Sequence, residues 1–326
     1  MAGRQVALYF AWSRPDEVTA PLGILEDRFP ALFELRRTFW PRFEQFADPL
    51  KFDQGVGGFL DNIQLANFKE FADLAGSWTG NPVRQAERRT DAGLRALDGD
   101  FLAGVDTLVI ISFDSHRTAQ QASDAEIGAV RSFLDNPDHT LFICPHHDIG
   151  SADELPENER LARRELEFHH HGDAAIPSRQ AFGDFGLSLL KGLGLQVRNR
   201  FGLHPAKLPD GSPAPLEIAA GFDRAGLLEG VATFNLHPHL PHFERLGDAA
   251  EKLDVLARQP IDPDAPPHPF TAGGRHDFDA LLQSKPGIFG GRLLICDTTT
   301  WSSTAGGLDS LQRFWRNVVL LKRGGG

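Results

Sequence analysis

Short apolar runs separated by amphipathic stretches run through most of this chain, and residues 105–150 show the pattern most clearly. Val105 to Ser112 is rich in Val and Ile, with no Pro or Gly, and fits a strand buried on both faces of a parallel sheet. Ser123-x-x-Glu126 then forms a capping box, in which the hydroxyl and the carboxylate can each take a free N–H at a helix start. Ile127, Val130, Phe133 and Leu134 follow at helical spacing, and Asn136-Pro137-Asp138 ends the helix. Thr140 to Cys144 is a second buried strand. Strand, helix and strand with short links predict a parallel pair joined by a right-handed crossover.

The same logic extends along the chain. Val6 to Trp12 reads as the opening strand, Ile63 to Leu74 as helical, and Arg84 to Asp98 as a charged amphipathic helix with a solvated face. Glu154 to His171 is charged and helix-like, Phe185 to Leu193 is a helix, and Leu195 to Phe201 is a strand. Val231 to Leu236 is a further strand candidate running into His237-Pro238-His239. Residues 259–275 are Pro-rich and suggest a surface loop. Gly290-Gly291 precede a last buried strand, Arg292 to Cys296, and Leu308 to Lys322 is the closing helix. The expected fold is an α/β three-layer sandwich with a mostly parallel central sheet and with N-terminal and mid-chain insertions. All 326 residues form one domain in this reading, with residues 14–100 a largely helical insertion or cover.

Composition narrows the function classes. A hydrophobic content of 41% can fill a core. The formal charge of −11 argues against a general nucleic-acid role, because phosphate binding needs a basic face. No apolar run is long enough for a transmembrane helix, and the first residues lack a signal-peptide pattern. Two cysteines, Cys144 and Cys296, are too few for a disulfide framework, so a reducing cytoplasm is expected. Gly55, Gly57 and Gly58 do not match a dinucleotide fingerprint. The expected partner is a small-molecule substrate, with no nucleic acid and no membrane; homo-oligomerisation stays open.

Chemistry is expected where a parallel sheet presents its strand carboxyl ends. The candidate catalytic residues there are Cys144, His146, His147, His237, Asp114 and His116. Cys144 is either a packed strand-end thiol or a nucleophile, which would need a neighbouring base. Asp114 and His116 can form an acid/base pair or orient a substrate, although turn chemistry explains them equally well. His146, His147, His237, His239 and His242 are candidate metal ligands, because imidazoles from two loops could supply the three nitrogens that zinc or iron accepts. Whether a metal binds, and which, stays open. His204 could add a ligand, while His169-His170-His171 reads as a solvated turn.

These residues carry a resemblance. Asp106-Thr107-Leu108-Val109-Ile110, the Ser123-x-x-Glu126 helix ending in Phe133-Leu134, the strand Thr140 to Cys144, and Gly291 to Asp297 with the closing helix containing Arg316-Asn317 are similar to the class I glutamine amidotransferase-like superfamily. The likeness is closer to its ThuA-like and other non-amidotransferase branches, and it covers roughly residues 105–150 and 215–322. It implies a flavodoxin-like α/β sandwich. In the amidotransferases the nucleophilic Cys sits on a glycine-flanked turn, with a partner His in a His-Pro-Glu motif. Here Ile143 and Pro145 flank Cys144, and His239 follows His237-Pro238 where Glu would stand, so an intact glutaminase dyad is not expected. Two functions remain. One is a hydrolase-like enzyme acting on a small polar substrate, a C–N bond among the candidates. The other is a non-catalytic ligand-binding or scaffold protein on the same fold. The clustered histidines favour the enzyme, and the missing glycines favour the binder.

Overall fold

The computed structural model describes residues 3–19, 60–61, 65–112, 120–146, 185–237, 240–265 and 269–321, without the side chains of 200 and 201. Its strands are β1 (Val6–Ser13), β2 (Arg84–Thr90), β3 (Gly93–Leu94), β4 (Thr107–Ser112), β5 (Thr140–Pro145), β6 (Val197–Leu203), β7 (Glu217–Ile218), β8 (Leu240–Arg245), β9 (Leu253–Pro260), β10 (Asp277–Ser284) and β11 (Arg292–Cys296). Its helices are α1 (Arg14–Val18), α2 (Lys69–Thr79), α3 (Gly99–Leu102), α4 (Asp124–Phe133), α5 (Phe185–Gly192), α6 (Ala249–Lys252), α7 (Pro269–Ala272) and α8 (Leu308–Val319). Single 3-10 turns cover Leu65–Phe68 and Thr298–Trp301.

Each central strand sends alternate residues into two different cores, which is why its sequence is apolar throughout. In β1, Leu8, Phe10 and Trp12 enter one core and Ala7, Tyr9 and Ala11 the other. In β5, Phe142 and Cys144 share the first core, while Leu141 and Ile143 share the second. Helices α2 and α8 close the first face through Phe71, Ala75, Phe314 and Trp315. Helices α3, α4 and α5 close the second through Phe101, Val130, Phe133, Phe185 and Leu189. The result is helix, sheet and helix in three layers.

The sheet has nine strands in the order β3-β2-β1-β4-β5-β11-β10-β9-β7. The five strands β2-β1-β4-β5-β11 are mutually parallel. Their order, 2-1-3-4-5 when counted among themselves, is that of flavodoxin-like sheets. The pairings at either end are antiparallel: β2 with β3, and β11 with β10, β10 with β9, β9 with β7. A separate ribbon pairs β6 with β8.

Local signals appear as expected in the central block. Ser123 and Glu126 make both halves of the capping box on α4. Gly290 and Gly291 lead into β11 against the turn after α4. A Cβ on Gly290 would lie 2.3 Å from the Asp135 carbonyl oxygen, and one on Gly291 would lie 2.7 Å from those of Asn136 and His139. The helix expected over Ile63 to Leu74 is met, from Leu65 onward, by the 3-10 turn and α2.

Two expectations are corrected. Arg84 to Asp98 is not a solvated helix: it supplies β2 and β3, joined at Asp91-Ala92-Gly93, where Gly93 has φ of 111°. The charged side chains alternate across the strand. Arg88 turns into the second face beside Phe185, and Glu87 turns to Trp12 and Arg14 on the other. The long stems cover apolar surface while the heads find partners. Val231 to Leu236 is not a strand either. Its backbone groups are satisfied outside any ladder: Ser310 Oγ accepts from the Ala232 and Thr233 N–H groups, the Leu236 N–H donates to the Ala305 carbonyl, and Gln259 donates to the Asn235 carbonyl. The antiparallel strands β9 and β10, for which the sequence pattern named no strand, flank the Pro-rich stretch 259–275 and overlap it only at Gln259 and Pro260.

Candidate functional site

The carboxyl ends of β1, β4, β5 and β11 form the rim where a ligand is expected on such a sheet. The strand order reverses between β1 and β4, which end at Ser13 and Ser112. Beside β1, the Trp12 indole N–H donates to Glu87 at 2.8 Å. Arg14 grips both oxygens of the same carboxylate, at 2.7 and 2.8 Å, and also reaches Asp61 at 2.7 Å. Burial disfavours the Arg14 cation, but the Glu87 and Asp61 carboxylates outweigh it and raise its pKa. On β4, Ser112 Oγ accepts the Gly186 N–H at 3.0 Å and so ties the strand end to α5.

Beyond β11, Asp297 starts the Thr298–Trp301 turn by accepting the Thr299 N–H at 2.9 Å, and it also accepts the Thr299 hydroxyl. Asn235 Nδ2 donates to Thr299 Oγ1 at 3.0 Å, and Asn235 Oδ1 accepts the His237 N–H at 3.0 Å. Gln259 Nε2 donates to the Asn235 carbonyl at 2.7 Å. A buried polar chain thus runs from Gln259 through Asn235 to Thr299 and Asp297, with His237 at its half-buried edge. Its hydrogen bonds make burial of these groups affordable in a low-dielectric rim. Asp297 and the threonine run were visible in the sequence. Asn235, Asn199 and Gln259 were missed, because no motif distinguishes an asparagine or glutamine with a buried partner from one in solvent.

Cys144 lies in the core, 0% exposed, and within β5 rather than on a turn. Its Sγ is 3.7 Å from Cys296 Sγ on the paired strand, and the Trp301 indole N–H points at it from 3.2 Å. Burial pushes the Cys144 thiol well up, the Cys296 thiol adds to this, and only the Trp301 N–H opposes it. A thiol in this setting stays protonated and packs as a small apolar residue. Of the two readings of Cys144, this placement favours the packed strand-end thiol over the nucleophile.

Each of the other described candidates has its own set of partners. The His146 carbonyl accepts from the Asn199 side chain of β6, and this residue is half-buried at the end of β5. His242 does not sit on a rim loop after a strand. It lies inside β8, 9% exposed, with Nδ1 accepting the Asp279 N–H at 3.2 Å and its ring 4.9 Å from that of Phe270. Burial lowers the His242 pKa, with Arg275 adding to the effect and Asp279 opposing it. Its Nδ1 is therefore engaged with backbone rather than open to a metal. The His204 carbonyl accepts the Asp262 N–H at 2.9 Å. Among the described residues, no group of three or more His, Cys, Asp or Glu is placed to hold a metal ion. His147, His239, Asp114 and His116, together with His169-His170-His171, lie outside the described residues. No helix among the described residues is long and apolar enough to cross a membrane.

No family model matches the chain, and no curated protein matches it. Among solved structures, a chain described as ThuA-like from Bacteroides uniformis ATCC 8492 is similar over 98% of this chain and 93% of its own. The identity is 10% and the TM-score 0.41. No residue role is carried over from that likeness.

Proposed function

We propose that this protein binds a small polar molecule at the carboxyl rim of β5 and β11, and that any bond broken there is broken by imidazole rather than thiol chemistry. The observation that carries this reading is the way two rim histidines are held. Asn199 fixes His146 through its carbonyl, and Asn235 fixes His237 through its N–H. Asn235 is itself anchored by Gln259 and Thr299. These bonds hold the backbone at both positions, and a site mounted on a fixed backbone is better prepared for a ligand than one on a loose loop. Membership of the glutamine amidotransferase-like superfamily is part of the proposal, supported by the parallel strand order.

Hydrolysis, including that of a C–N bond, is the second reading. It is favoured by the same two histidines, since an imidazole is a group that can act as a general base toward water. A zinc or iron site is not supported by the described donors, so no step is assigned to a metal. The test is thermal shift and turnover against a panel of small sugars, amides and hydroxy acids, using wild-type protein, His146→Ala and His237→Ala. Binding of a panel member that both variants weaken supports the reading. Turnover lost in the same variants selects the hydrolase. Binding that neither variant alters, or no binding across the panel, removes it.

A further inference from the structure

A second concave feature lies at the opposite end of the sheet, where the parallel strands begin. A cavity of about 500 Å³ opens between the start of β11, the last turns of α8 and the turn at 224–229. Four arginines line it: Arg224 from the turn, Arg292 as the first residue of β11, and Arg313 and Arg316 from α8. Glu229 is the acidic residue in the lining. Four positive charges against one are thus gathered in a chain whose formal charge is −11.

These guanidinium groups differ from Arg14, Arg88 and Arg258, each of which is bound to a carboxylate. Among the described residues, none of the four lies within 4.0 Å of a carboxylate oxygen. Arg292 Nη1 is moreover buried without a hydrogen-bond partner. A buried guanidinium N–H without an acceptor is costly, and an acceptor arriving with a ligand would satisfy it. The walls are fixed in advance. Asn317 Nδ2 donates to the Leu227 and Glu229 carbonyls at 3.0 and 2.8 Å, which pins the turn to α8. The Asp223 carboxylate accepts the Leu227 and Leu228 N–H groups at 2.8 and 2.7 Å, which closes the turn on itself.

We propose that this cleft binds the phosphoryl groups of a phosphorylated small molecule. Arginine forks match phosphate oxygens in pairs, and several forks around one cleft select a multiply charged anion over a carboxylate or chloride. The carboxyl end of α8 carries partial negative charge and is unfavourable to any anion. Attraction must therefore come from the guanidinium groups themselves, which makes their removal decisive. The volume falls within the range of small-molecule sites and exceeds the needs of a single phosphate.

Titration calorimetry at low ionic strength, with inorganic pyrophosphate as the probe and acetate as the control, tests this on the full chain. Inorganic phosphate and ADP form further arms that separate a bare anion from a phosphorylated organic molecule. Arg313→Gln with Arg316→Gln is the primary variant, since both side chains are exposed and their replacement leaves the core untouched. Pyrophosphate is expected to bind wild-type protein, to bind the double variant at least tenfold more weakly, and to bind Glu229→Gln more tightly. Arg292→Gln, checked for an unchanged melting temperature, is expected to weaken binding independently. Equal affinity in wild-type protein and the double variant, no binding of pyrophosphate, or acetate bound as well as pyrophosphate would each overturn the proposal.

Discussion

Replacing Glu126 by Gln removes one charge from the buried Arg88–Glu126 pair and changes almost no volume. Both side chains are nearly sealed from solvent, at 6% and 2% exposure. Glu126 Oε1 accepts from Arg88 and from the Leu97 N–H at 3.1 Å, and Oε2 accepts from the Ser123 N–H at 2.9 Å and its hydroxyl at 2.8 Å. A glutamine has one acceptor oxygen, so one of these two sets of donors must face an NH2 whichever way the amide turns. Arg88 keeps its bonds to Gln120 Oε1 and the Gln121 carbonyl but loses its counter-charge. Breaking a buried pair from one side costs about 3–5 kcal/mol. The lost capping contact, about 0.5–2 kcal/mol alone, overlaps with that figure rather than adding to it. For 326 residues at about 2.1 cal/mol/K each, a loss of about 4 kcal/mol lowers Tm by about 6 °C.

The same substitution has a pH signature. Burial alone would raise the Glu126 pKa, but hydrogen bonds from the Ser123 N–H, Arg88 and the Leu97 N–H outweigh it and hold the carboxyl below its ordinary 4.5. A depressed folded-state pKa contributes stability that is fully present above the unfolded value and lost as pH falls through the folded one. The gap between wild-type and E126Q unfolding free energies should therefore be widest at neutral pH and shrink below about pH 4.5. Urea unfolding followed by circular dichroism at stepped pH measures both quantities. A neutral-pH gap under about 1 kcal/mol, or a gap unchanged into acid, would refute the role given to this pair.

Two further outcomes are expected. The chain has two cysteines, both fully buried, so a thiol reagent at neutral pH should modify neither in the native protein and both after denaturation; rapid native labelling would contradict the core placement of Cys144. Tyr9 is the single tyrosine, and burial raises its pKa to about 12 despite the opposing Arg88. Its ultraviolet ionisation should therefore have a midpoint near 12 if the fold persists and near 10 in denaturant, and the stability it contributes should fall only as pH rises between those values. A native midpoint near 10 would show that Tyr9 is accessible.

Some of this protein is written locally. The capping box at Ser123, the apolar runs of β4, β5 and β11, the glycines before β11 and the amphipathic period of α8 specify their elements from near neighbours in sequence. Strands buried on both faces are apolar at every position, so they announce themselves without knowledge of their partners.

The rest depends on pairing. Arg84 to Thr90 carries a helix-like charge pattern, and it becomes a strand because β1 offers it a parallel edge and Glu126 and Phe185 receive Arg88. Val231 to Leu236 has strand-like composition, but distant side chains already occupy its backbone groups. The contact between Cys144 and Cys296, 152 residues apart, converts two strand-end thiols into core. The four arginines of the cleft come from three separate parts of the chain, and each alone reads as an ordinary surface charge. Periodicity is a property of adjacent residues. Which side chains meet, and which remain without a counter-charge, is settled only when the sheet brings remote segments together.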